Sequence, residues 1–244
     1  MFAQSKGDPP ASKRGWGSSW LEPANEQQRR EQALVGQIRV AEEAGDSHTV
    51  WELAARLTAL EPIAPGPHMV RAWVYRQRKQ FGQALREIDQ ARDLAQRKDQ
   101  RGYLSDVMAT RALVHEMQKD LPAAVTDFQA SLRLNDKDPQ TINSLAWLRA
   151  TAPDPTLRAG SESVRLVERA VALSTKDSYL AIDTLAAAYA ESHDYPRAVD
   201  AERRAMTTAQ TQIKDAAKAR AFQKGAAARL QLFEQHQAYH ADLP

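Results

Sequence analysis

Small residues recur in this 244-residue chain at separations of twelve and then seven: Ala72, Ala84 and Ala91; Ala112, Ala124 and Ser131; Ala186, Ala198 and Ala205. Few folds demand such a series. Where two helices joined by a short turn cross with their backbones about 8 Å apart, only Ala, Gly or Ser fits between them. The first two members of each series mark that crossing, and the third, on the second helix, is expected to face the next pair. Aligned on these positions, units begin near residues 31, 65, 105, 139 and 179, at spacings of 34, 40, 34 and 40. Self-similarity at such periods marks a repeat architecture: no hairpin buries both of its faces alone, and neighbours stack to share a core.

Each unit divides at a polar turn, "AGDS", "RKQF", "QKDL" or "SHDY", flanked by apolar residues at helical spacing. Pro122 and Pro196 fall at the start of the second helix, where a missing N–H costs nothing. With almost no period-2 alternation of β-branched residues, the chain reads as all-α. A hydrophobic content of 43% supports a real core, and a formal charge of +2 gives no argument for a nucleic-acid or membrane partner. Zero cysteines exclude a disulfide framework, thiol catalysis and thiolate metal sites. No apolar run approaches the roughly 20 residues that span a bilayer.

The pattern of small, large and small residues resembles the tetratricopeptide repeat family. Phe81, Leu121 and Tyr195 stand before the second helices, and Pro62 lies where that family's unit often ends. The resemblance covers about 31–212. Its best units start at 65, 105 and 179; the unit at 31 places Ile38, Val50 and Leu57 at the small positions, and the unit at 139 has five extra residues in its turn, "TAPDPTLRAGS". That enlarged turn before a near-consensus last unit resembles a bacterial subtype of the repeat. The resemblance implies a right-handed superhelical solenoid of about five antiparallel helix pairs. Residues 1–24 read as a flexible leader, 25–212 as the array, and 213–244 as a capping helix and tail, with Gly225 as a candidate break or kink. The leader lacks a secretory apolar segment, so the expected location is cytoplasmic, or periplasmic if a signal has been removed.

In that family the first helix of each unit lines a concave face, and the resemblance implies that unit positions two, five, nine and twelve point into it. These include Arg39, Met69, Trp73, Arg76, Leu113, Asn143, Trp147 and Asp183. Tryptophan, methionine and arginine combine apolar area with a polar handle and are frequent binding anchors. Trp73 and Trp147 serve either as groove anchors or as packing groups, Trp147 under the enlarged turn. The family's carboxylate clamp uses lysine and asparagine at places that here hold Arg39, Met69 and Leu113, which disfavours a chaperone-tail receptor. Trp16 and Trp20 are unusual in a leader, and a groove of this chain or of a neighbour is a candidate seat for them.

Catalysis finds little support. Six histidines are scattered, and no serine or acid completes a triad. His236 and His240 have the i, i+4 spacing of metal ligands, but no third ligand is nearby and a solvated tail is the expected reading. Asp154 and Asp177 read as turn and cap residues. No glycine-rich phosphate loop occurs, the only cluster of glycines being Gly15 and Gly17 in the leader. No metal or cofactor is expected. Residues 65–104 hold nine basic and four acidic side chains, whereas 31–64 hold two and six. Arg76, Arg78 and Lys79 cluster at one turn, which reads as a solvated basic edge or as a contact for an acidic segment. The function expected is a non-catalytic adaptor for a protein or peptide partner. The alternative is an assembly module of an envelope or secretion complex, docking by its convex face or terminal helix.

Overall fold

The computed structural model describes residues 26–60, 64–174 and 178–241, so Trp16, Trp20, Pro62 and Asp177 lie outside the described residues. Among those described, every regular element is helical. The α-helices are α1 (Glu26–Glu43), α2 (Ser47–Leu60), α3 (Gly66–Gln77), α4 (Phe81–Arg97), α5 (Arg101–Met117), α6 (Leu121–Leu134), α7 (Pro139–Thr151), α8 (Gly160–Leu173), α9 (Tyr179–Glu191), α10 (Tyr195–Gln212) and α11 (Ala216–Glu234). A 3₁₀ turn, Pro155–Leu157, sits between α7 and α8. The described residues form an all-α fold of five antiparallel helix pairs followed by an eleventh helix. It divides into two compact units at Asn135 and Asp136.

The small-residue series explains each pairing. Ala72, Ala84, Ala112, Ala124, Ala146, Ser163, Ala186 and Ala198 are all at most 1% exposed. No larger side chain fits where the helices cross. In the weaker first pair Ile38 and Val50 hold the same places, equally buried. Ala91 joins a cluster with Val107 and Val114 of the following pair, as the third position should. Ser131 differs: its hydroxyl lies 3.0 Å from that of Ser105, and Ser105 Oγ donates to the Ser131 carbonyl, so its partner is in its own pair.

The turns inside the pairs share a backbone device. Gly45, Lys79, Lys119 and His193, each the fifteenth residue of its unit, have φ of 72°, 56°, 67° and 62°. One residue later the amide of Asp46, Gln80, Asp120 or Asp194 bonds back to the carbonyl of Ala41, Tyr75, His115 or Tyr189, which closes the first helix. Asp120 and Asp194 then cap the second helix by accepting from Ala123 N and Arg197 N. The pair α7–α8 departs, because the enlarged turn runs through Asp154, whose carboxylate accepts from Thr156 N and Oγ1 at 2.8 Å. Gly160 opens α8 where a Cβ would stand 2.7 Å from the Glu191 carbonyl carbon, so glycine is what lets α8 approach the end of α9.

The first unit centres on Ile38, Val50, Leu57, Val70 and Val74 between α1, α2 and α3, and on Met69, Ile88, Val107 and Val114 between α3, α4 and α5. The second unit gathers Ile182, Ala190, Ala201, Ala205 and Phe233 between α9, α10 and α11. α11 runs unbroken through Gly225, contrary to the expected kink. A Cβ there would come within 3.4 Å of Arg229 Nη1, so the glycine leaves room for a guanidinium.

Candidate functional site

The first helices of the pairs carry the residues expected to line a groove, and each unit places them in its own way. In the first unit Arg39 is exposed on α1, and Trp73, Arg76 and Leu113 are half-buried on α3 and α5. Trp73 leans one side on the α1–α3 core. Met69 is 5% exposed and packs with Ala72 and Val107. Its expected place in a groove is therefore corrected: the side chain lies in the core shared by α3, α4 and α5. Arg76 is held below the usual arginine range by burial, an effect that the Glu42 charge opposes. Burial pushes the Glu116 carboxyl up.

Across the helix pairs of this unit run ion pairs that a local motif search does not find. Arg71 Nε meets Glu87 Oε2 at 3.0 Å and its Nη1 donates to Thr58 Oγ1 at 2.8 Å. Burial alone would raise the Glu87 carboxyl, but His68, 2.8 Å away, and Arg71 outweigh it and hold it low. Forty residues on, Arg111 grips Asp127 with two bonds of 2.7 and 2.6 Å, which raises the guanidinium's hold on its proton. A cavity of about 550 Å³ opens beside it, lined by Leu104, Met108, Arg92, Arg111 and Arg133. Arg92 is matched there by Asp89 and Asp93.

In the second unit the corresponding face is covered by the chain itself. Asp183 is 6% exposed and ion-paired to Arg229 of α11. Arg229 Nη2 also lies 3.0 Å from Glu202 Oε1 on α10, whose side chain is wholly buried. Burial lifts both carboxyls, and Glu202, with the Asp183 charge beside it, is pushed up to about 8. Asp183 is thus a strut between α9 and α11, which corrects its expected place in an open groove.

Trp147 has a neighbour that its local sequence does not announce. After α11 the chain turns at His236, φ 56°, and runs back over α7 and α9. The Tyr239 ring lies 6.2 Å from that of Trp147, and the Arg229 guanidinium stands 5.7 Å from both rings. His240 Nε2 is 2.8 Å from Glu191 Oε2, and Ala241 N donates to the Thr151 carbonyl at 2.7 Å. The other oxygen of Glu191 accepts from Arg158, which also donates to the carbonyls of Ala152 and Pro153 and so secures the enlarged turn. One turn before Trp147, Asn143 is half-buried and its side-chain oxygen has no hydrogen-bond partner.

The imidazoles of His236 and His240 serve separate partners, the first stacking on Tyr195 at 5.1 Å and the second bonding to Glu191. Among the described residues no three His, Asp or Glu side chains gather as metal ligands, and no helix is long and apolar enough to cross a membrane.

No family model matches the chain, and no curated protein matches it in sequence. Among solved structures the chain is similar to BtubC (BKLC) from P. vanneervenii, with a TM-score of 0.52 and 13% identity over 78% of this chain and 94% of that one. A chain of the APC/C hetero-tetramer Cut9–Hcn1 aligns with a TM-score of 0.46 and 13% identity, over 88% of this chain and 44% of that one. The first likeness supports the helix-pair fold and reaches no further.

Proposed function

We propose that this chain is a non-catalytic adaptor that holds a peptide segment or a partner subunit on the first-helix face of its amino-terminal unit, and that it belongs to the bacterial subtype with the enlarged turn. The observation that carries the reading is the accessibility of Arg39, Trp73, Arg76 and Leu113, large side chains with apolar area and charge, on α1, α3 and α5. Tryptophan and arginine are enriched among the few residues that contribute most of the affinity at protein interfaces. Cross-linking in native extract, followed by mass spectrometry, is expected to tie α3 and α5 to one partner. Trp73→Ala with Leu113→Ala should cut that capture at least tenfold while the helical circular dichroism stays unchanged. An unaltered partner list would overturn the reading.

A second reading, an assembly module docking through α11, draws on the exposure of Ala216, Ala217, Ala221, Ala227 and Ala228. Small side chains admit a close helix neighbour. Light scattering of Ala217→Glu with Ala221→Glu tests it, and an unchanged mass and partner content would remove it.

A further inference from the structure

The last described residues of the chain make contacts of the kind a bound peptide makes. Residues 237–241 have no regular secondary structure. Three consecutive residues nevertheless each meet a different group: Tyr239 the Trp147 ring and the Arg229 guanidinium, His240 the Glu191 carboxylate, and the Ala241 amide the Thr151 carbonyl. An aromatic ring, a cationic or hydrogen-bonding side chain and a main-chain amide are thereby read in order along a backbone with no regular structure. Only the amide contact is indifferent to sequence; the other two select side chains. The receiving groups come from α7, α9 and α11, elements tied together by the second unit's core and by the Arg229 ion network, and Ala238 and Tyr239 of the tail pack against that core.

We propose that Trp147, Thr151, Glu191 and Arg229 form a binding site for an extended segment bearing an aromatic residue followed by a basic or imidazole residue, and that Tyr239–Ala241 is its intramolecular occupant, which a partner displaces. The proposal rests on the adaptor reading for the partner's existence, and it assigns that partner a chemistry. The occupant is tethered to α11 by only two residues after the His236 turn, so its effective concentration at the seat is high. A competing segment therefore binds the resting chain far more weakly than a chain whose own tail cannot sit.

The test uses the full-length chain and a fluorescein-labelled peptide copying residues 234–241, EQHQAYHA, read by fluorescence anisotropy. Against the variant Tyr239→Ala with His240→Ala the peptide is expected to bind measurably, and at least tenfold more tightly than against the native chain. A peptide with alanine in place of its tyrosine and second histidine should lose that binding, and so should the variant chain carrying Trp147→Phe in addition. Amide hydrogen exchange supplies a readout that needs no peptide: the Ala241 amide should be protected in the native chain and exchange at least tenfold faster in Trp147→Phe. Equal binding to native and variant chains, or no binding to either, would overturn the proposal, as would an Ala241 amide that exchanges freely in the native chain. If partner capture still depends on Trp73 and Leu113 when the tail peptide fails to bind, the adaptor reading stands and this proposal alone falls.

Discussion

The two units carry the same repeat yet treat corresponding positions in opposite ways. In the first, the arginines Arg71 and Arg111 reach from the first helix of a pair to Glu87 and Asp127 on the second. The equivalent places in the second unit hold Leu145 with Leu166, and Leu185 with Ala201, side chains that carry no charge to pair. The inner-face positions reverse the pattern. Trp73, Arg76 and Leu113 keep solvent access, whereas Asp183, Ala187 and Ala190 are 6%, 2% and 0% exposed. A repeat therefore fixes where helices cross without fixing which faces stay open, because in the second unit α11 and the tail, both outside the repeat, close the face.

Replacing the key arginine of each unit separates them most sharply. Arg229→Met leaves the buried Asp183 without its counter-charge and is expected to cost about 3–5 kcal/mol of the second unit's stability. Arg111→Met takes the guanidinium from Asp127 but leaves His115 Nε2 3.7 Å from its carboxylate, and should cost about 1–3 kcal/mol in the first. Hydrogen exchange resolved by helix, under rising denaturant, shows which unit opens.

Two carboxyls, Glu202 in the second unit and Glu87 in the first, also respond oppositely to pH. Folded Glu202 keeps its proton up to about pH 8, against an ordinary value of 4.5, so between those values the folded state binds the extra proton. The second unit therefore loses stability as pH rises through that window, on the order of 2 kcal/mol, and Glu202→Gln should flatten the slope. Glu87 is shifted down, so its contribution is present above 4.5 and is lost only on acidification below it. Melting curves from pH 5 to pH 9 that showed no difference between native and Glu202→Gln chains would contradict the assignment.

Glycine substitutions extend the contrast at smaller size. Gly160→Ala drives a Cβ against the Glu191 backbone and should destabilise the second unit by about 1–3 kcal/mol. Gly36→Ala, in α1 with nothing within 4 Å, should stabilise the first by about 0.5–1 kcal/mol. The smallest effect belongs to the shared turn: Lys119→Gly relieves a left-handed backbone and should gain at most about 1 kcal/mol. Thermal denaturation with both units monitored orders all three.

Helix pairing was legible in the residues because a crossing excludes bulk, so Ala84, Ala124 and Ala198 had to be small wherever the turn placed them. The turns were legible for a like reason, since "QKDL" and "SHDY" are polar and short. Nothing in the local pattern marked Arg229 as the partner of Asp183, 46 residues away, because pairing across such a separation leaves no periodic trace. The same holds for Tyr239 on Trp147. The alternatives of groove anchor and packing group at Trp147 could not be resolved from α7 alone, for its neighbour arrives from the far end of the chain. Met69 misled for a simpler reason: its unit position matches the half-buried Val35, Ala109 and Asn143, but its long flexible side chain joins the core of α3, α4 and α5.

The left-handed turn residue has a practical consequence. Gly45, Lys79, Lys119 and His193 adopt one backbone geometry with three different side chains, so the pairing tolerates what is attached there. Because the chain contains no cysteine, a thiol placed at Lys79 and another at His193 would be the only two reactive sulfurs in the molecule. Dyes on that pair would mark each half separately and report on either one in a mixture with a partner.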